Sequence, residues 1–226
     1  GQSDYGLYSL IGSLVGYLSI LDMGMGNAIV RYTARNRAVG DKDAESNLNG
    51  MFITLYSMIG MLAIIVGTIL YFNIDNMFGA TLTFEEIEKA EIMMIVMIFN
   101  FAVAFPLGVF GSIIQAHERF IFVRLVGIIR SLISPCIILP LLYMGYGSVA
   151  LVVVNMMLNI SCLLVDVYYC FRFLNTKIYF KKFDLVLLKE IAGYSFFIFL
   201  NVIMDKVYWS TGQFILGIVS GTVMVS

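Results

Sequence analysis

Five charged side chains fall inside apolar stretches of this sequence: Asp22, Arg130, Asp166, Asp205 and Lys206. An ionisable group at the centre of a bilayer costs roughly 3 kcal/mol on insertion scales and normally faces a cavity or a partner. Such residues are candidates for binding a charged solute or carrying an ion. Asn155, Asn159, Cys162 and Asp166 follow one another at helical spacing and form one stripe. The two asparagines either line a cavity or hydrogen-bond to neighbouring helices. Arg124, Gly127, Ser131 and Pro135 share a second helical face with Arg130 beside it, and Ser19, Asp22 and Gly26 share a third. Arg130 lies six residues from Arg124, and Asp166 six before Arg172. Both are thus roughly 9 Å into their helices at 1.5 Å per residue. Equal depth predicts that the two charges are near neighbours, paired or sharing a wet cavity.

Enzymatic patterns are absent: there is no His-Glu-x-x-His, nucleophile elbow, P-loop or dinucleotide-binding glycine motif. Cys136, Cys162 and Cys170 sit in apolar runs without metal-ligand spacing, and there is one histidine. The expectation is a protein that is not an enzyme and uses no metal and no cofactor.

These residues must be positioned by helices that cross a membrane. Of the 226 residues, 60% are hydrophobic and only 13% charged, with a mean hydropathy of +0.92. Soluble domains are nearer about 25% charged. This composition excludes an ordinary soluble domain, a disordered tail and a nucleic-acid binder with a basic face, while the net charge of -1 carries no signal and the placement of the charges does. Six stretches are long and apolar enough to span a bilayer: about 5–30, 51–72, 92–114, 121–144, 148–171 and 192–219. None alternates like a barrel strand. The fold class is therefore all-α, a polytopic membrane bundle.

Loop charge sets the orientation. Arg31, Arg35, Arg37, Lys42, Arg119, Arg124, Arg172, Lys177, Lys181, Lys182 and Lys189 all fall at one end, which is predicted to be cytoplasmic. The other end has Lys89 among Asp75, Glu85, Glu86, Glu88 and Glu91. Gly1 then starts outside, which predicts a piece of a longer protein with a span upstream. Thr83 and Glu86 form a capping-box pattern ahead of the third span. Asp184 is placed to cap a short interfacial helix bearing Leu185, Leu188 and Ile191. Gly145-Tyr146-Gly147 reads as a tight turn joining two antiparallel spans. Gly12 and Gly16 read as a helix-packing motif, and Arg124 as snorkelling to headgroups. Pro106, Pro135 and Pro140 predict kinks.

The segments Tyr5-Gly6-Leu7-Tyr8-Ser9-Leu10 and Leu18-Ser19-Ile20-Leu21-Asp22-Met23-Gly24-Met25-Gly26-Asn27-Ala28-Ile29-Val30-Arg31-Tyr32 resemble the second transmembrane helix of the polysaccharide flippases. These form the Wzx-type polysaccharide transport family of the multidrug/oligosaccharidyl-lipid/polysaccharide (MOP) superfamily. Leu216 to Val223 is similar to the end of that family's seventh helix. The resemblance implies helices two to seven of a two-lobe transporter of twelve or more helices. On this reading residues 1–174 belong to the first lobe, 175–190 form a cytoplasmic linker, and 191–226 begin the second lobe. The last span should then bury fewer apolar side chains than 121–144 does.

The implied substrate is a polyprenyl-diphosphate-linked oligosaccharide, flipped across a bacterial-type plasma (inner) membrane by alternating access. Diphosphate and sugars need a hydrated, cationic cavity in place of bulk water. Arg130 and Lys206 would meet the anionic headgroup, with Arg31 at the cytoplasmic mouth. Asp22, Asp166 and Asp205 would counter these charges or bind a coupling proton or sodium ion, and Asn155 and Asn159 would line the cavity. The alternatives are a cation-coupled multidrug exporter of the same superfamily, a membrane enzyme of glycan assembly, or a structural subunit.

Overall fold

The structure, a computed structural model, describes residues 2–22, 24–79, 81–180 and 184–220. Side chains at 2, 3, 206, 207 and 209–220 lie outside that description, as do Lys181 and Lys182 entirely. Among the described residues every regular element is helical. Six spans are long and apolar enough to cross a membrane.

The first span is not one rod. It comprises α1 (Gln2–Gly16), a 3₁₀ segment (Tyr17–Asp22) and α2 (Met25–Val39). The break is local chemistry. Gly24 adopts φ 67°, which favours glycine, and the Ser19 hydroxyl donates back to the Gly16 carbonyl at 2.7 Å. A left-handed glycine, Gly40, also ends α2.

α3 (Lys42–Phe72) starts at Asp41, whose side chain accepts from the Ala44 amide at 2.9 Å. After the short α4 (Ile74–Phe78), the expected capping box is present: Thr83 and Glu86 cap α5 (Phe84–Ala116) reciprocally. The helix expected ahead of the third span is simply its first turns. α6 (Phe120–Tyr143) and α7 (Ser148–Arg172) are joined by the expected tight turn, with Gly145 at φ 88°. Pro106, Pro135 and Pro140 sit inside α5 and α6, which each continue through them as one helix.

The separate interfacial helix is revised. Asp184 does cap, accepting from the Val186 and Leu187 amides at 2.9 and 3.0 Å. The helix it starts is α8 (Leu185–Ser220), which runs on without interruption. Its inward stripe, Leu187, Ile191, Tyr194, Ser195 and Ile198, continues at helical spacing into the membrane segment, so no signal separates the two.

α5 is the central helix, with α3 and α7 on either side and α1 and α2 across it. Two apolar clusters fill the bundle. Phe52, Tyr56, Phe105, Val109 and Ile113 lie toward the basic end, and Leu7, Leu10, Phe78, Met93 and Met94 toward the acidic end. α3 and α5 pack closely. A Cβ at Gly60 would lie 2.8 Å from the Ala102 carbonyl oxygen, and Gly67 sits against Ile98. With buried Ala63, these make a small-residue seam.

α6 buries no residue fully, whereas α8 buries Ile191 and Ser195. Within the expected last span, 192–219, Ser195 is the buried residue among the described side chains, and those at 206, 207 and 209–219 lie outside the description, as does that part of the expected comparison with α6. α6 packs chiefly on α7 at the flank of the bundle, while α8 lies along α1, the 3₁₀ segment and α2.

Candidate functional site: a polar network within the spans

Three helices meet in a chain of side-chain hydrogen bonds. Arg130 on α6 donates from Nη1 to the Asn159 Oδ1 on α7 at 2.9 Å. Asn159 donates in turn from Nδ2 to the Asn100 Oδ1 on α5 at 3.0 Å. The same face of α7 carries Asn155, whose amide donates to the Leu151 carbonyl of its own helix. Arg130, Asn100 and Asn155 border a cavity of about 190 Å³, walled also by Tyr8, Gly12 and Gly16 of α1 and by Met97 and Phe101 of α5. Helical periodicity places Asn155 and Asn159 one turn apart on one face, and the α6–α7 turn brings Arg130 alongside.

Arg130 also touches a second hollow. Gly127, Ser131, Ser134 and Pro135 line a cleft with it on the outward face of α6. A guanidinium hydrogen-bonded to a neutral amide keeps its full positive charge. Arg130 thus presents a cation, held at a fixed place by Asn159, between an internal cavity and an open polar helix face. That arrangement suits an anionic oxygen that approaches from the α6 side.

The expected partner of Arg130 is corrected. Asp166 forms no ion pair with it; its Oδ1 is buried without a hydrogen-bond partner, and the carboxylate packs against Gly111. Asn159 precedes Asp166 by two helical turns and lies within hydrogen-bond reach of Arg130, so the amide takes the arginine. Asn155 and Asn159 resolve their two readings differently: Asn155 lines the cavity, whereas Asn159 bonds across helices.

The other expected site residues are dispersed. Asp22 accepts from the Tyr56 hydroxyl at 2.7 Å, at the helix break. Arg31 lies over the Tyr194 ring, 4.6 Å from its centroid, and 5.7 Å from that of Tyr32. Asp205 is exposed on α8, and the Lys206 side chain lies outside the described residues. Only Arg130, Asn155 and Asn159 come together.

Asn100 was missed in the sequence, although a lone asparagine in an apolar helix is itself a signal. Gly12 and Gly16 are corrected too. A Cβ on Gly12 would meet nothing within 4 Å, so Gly12 shapes the cavity wall rather than a helix contact, and Gly16 lines the same cavity. Outside the spans, His117 ends α5 beside Glu45, 3.5 Å away. Burial, with Arg37 and Arg119 nearby, holds its pKa below the usual histidine value.

This architecture can be compared with known proteins. A family described as "Polysaccharide biosynthesis protein" matches residues 1–226, the whole chain. The chain belongs to that family. The polysaccharide biosynthesis family member is also similar in fold to a solved structure, an inward-facing multidrug resistance MATE family transporter of the MOP superfamily. The TM-score is 0.74 at 19% sequence identity, over 100% of this chain and 56% of that one. The chain therefore spans little more than half the length of the transporter it matches. No curated protein matches it. Family, fold and the apolar spans together describe a multi-pass membrane protein of the polysaccharide biosynthesis family.

Proposed function

We propose that this family member is part of a flippase that moves polyprenyl-diphosphate-linked oligosaccharides from the cytoplasmic to the outer leaflet of a plasma (inner) membrane by alternating access. The carrying observation is Arg130, an intramembrane cation fixed by Asn159 and Asn100 and open toward the polar face of α6. An intramembrane cation is unfavourable against lipid tails. It therefore faces a hydrated path and there meets the diphosphate. The basic end is the cytoplasmic one, residues 1–174 form the first lobe, 175–190 the linker, and 191–226 open the second.

A cation-coupled multidrug exporter is the second reading. It is favoured by Asp166, a carboxylate with no cationic partner among the described residues, and by Asp22. In that reading the acidic groups, not Arg130, contact the substrate, and a proton or sodium ion binds among them.

Transport of lipid-linked oligosaccharide by the full-length protein, in cells or vesicles, separates the two. Arg130→Ala should lower it about 30- to 100-fold, the scale of one charge-assisted hydrogen bond. Arg130→Lys, which keeps charge but not the forked geometry, should retain part of it. No oligosaccharide flipping by the unmutated protein, with export of an organic cation that Asp166→Asn abolishes and Arg130→Ala spares, would favour the exporter.

A further inference from the structure

The cavity inside the first bundle has a chemistry of its own. Its polar walls are Tyr8 of α1, Asn100 of α5, Arg130 of α6 and Asn155 of α7, set among apolar side chains and two glycines. Each of the four brings hydrogen-bond donors. A guanidinium has five N–H groups, and Arg130 commits one of them to Asn159. Asn100 has its oxygen engaged by Asn159 and keeps its amide N–H groups, while Asn155 gives one of its two to the Leu151 carbonyl. Tyr8 adds a hydroxyl. Among the described residues no carboxylate lines this cavity.

The charge balance is as one-sided as the hydrogen bonding. Among the described residues Arg130 has no acidic partner: Asn159 is neutral, Asp166 packs against Gly111, and Asp22 is held by Tyr56. A cation taken out of water without a counter-charge bears a desolvation cost that an anion beside it offsets. One guanidinium balances a single negative charge. A doubly charged phosphate would leave a surplus charge facing Met97, Phe101 and Val152, which line the same cavity. Size agrees. At about 30 Å³ per water, a volume of about 190 Å³ takes an ion with a few waters. Pockets for drug-sized ligands begin near ~300 Å³, so an oligosaccharide does not fit. Arg130 therefore meets two hollows of different capacity, the open cleft of α6 and this smaller cavity within the bundle.

We propose that the inner cavity binds one small monovalent inorganic anion, of the charge and size of chloride, through Arg130, Asn100, Asn155 and Tyr8. The site goes beyond the flippase reading, because its ligand is not the transported lipid and its place is inside the bundle. The anion balances Arg130 within the membrane and ties α1, α5, α6 and α7 together through their donors. Gly12 makes the room: a Cβ there meets nothing within 4 Å, so a longer side chain would enter the space of the anion.

The test is binding of radioactive chloride to the purified full-length protein in lipid nanodiscs. Saturable binding is expected, displaced by bromide and not by gluconate, which is too large for the cavity. Gly12→Leu fills the cavity and leaves Arg130 bonded to Asn159. It should weaken binding at least about tenfold, the scale of one lost hydrogen bond. Arg130→Gln should abolish it; should that variant fail to fold, Gly12→Leu carries the test alone. Replacing gluconate by chloride at constant ionic strength should also raise the melting temperature of the unmutated protein, by linkage, and leave that of Gly12→Leu unchanged. No saturable binding by the unmutated protein, or equal binding by folded Gly12→Leu or Arg130→Gln, overturns the site. Binding that Gly12→Leu removes, in a protein that moves no lipid-linked sugar, would keep the anion site and remove the flippase reading alone.

Discussion

At the scale of single residues, the network at Arg130 assigns its partner to an amide rather than a carboxylate. That has a direct consequence for exchange experiments. Arg130→Asp combined with Asp166→Arg should fail to restore oligosaccharide transport, because Asn159 would then face a carboxylate and no cation would remain in place. Asn159→Asp, by contrast, should retain protein in the membrane and keep Arg130 in position through an ion pair. Its transport should fall about tenfold or more, since a paired guanidinium is partly neutralised toward an anionic substrate. Transport and membrane abundance, measured side by side, check both. The sequence made Arg130, Asn155 and Asn159 visible because polar groups in apolar helices are few. It could not rank Asn159 over Asp166 as the partner, since depth along a helix says nothing of how two helices are rotated about their axes. Arg31 shows the same limit from the other side: its charge is legible, but its placement over Tyr194 depends on a residue more than 160 positions away.

At the scale of helices, glycine has two opposite uses here, and one pattern in sequence stands for both. Gly60 lets α3 touch the α5 backbone, while Gly12 leaves room beside α1. Gly60→Leu should therefore destabilise the bundle, by roughly 1–3 kcal/mol or more from overpacking. Gly12→Leu should leave stability nearly unchanged while filling the cavity next to Arg130 and lowering transport. Thermal denaturation in detergent, paired with the transport assay, distinguishes them. Helix existence was readable from apolar length, and the starts at Thr83 and Asp184 from capping chemistry. The break at Gly24 was not, because a left-handed glycine within an apolar run differs from a packing glycine only through its neighbours. Likewise α8 swallowed the expected interfacial helix, since Leu187, Ile191 and Tyr194 hold one face across the boundary.

At the scale of the molecule, charge asymmetry makes a topological prediction. Glu88 and Lys189 are both exposed and lie at opposite ends of the bundle. In intact cells, a membrane-impermeant thiol reagent should modify Glu88→Cys and spare Lys189→Cys; the reverse pattern would invert the orientation. The helical class and the six spans were legible from composition, and the family from local motifs. Which span sits at the flank was not, because burial is decided by neighbours and α6 and α8 have similar apolar content. The flank position of α6 bears on how the protein is made. During synthesis α6 leaves the ribosome before α7, and it carries Arg130 at a cost of roughly 3 kcal/mol to membrane insertion. Its hydrogen-bond partner Asn159 arrives 29 residues later, and α6 has no buried face with which to lean on the helices already inserted. The insertion machinery must therefore accept α6 and α7 as a hairpin. A nascent chain stopped after Gly147 should show poor insertion of α6, one extended beyond Arg172 should show it complete, and Arg130→Leu should abolish the difference.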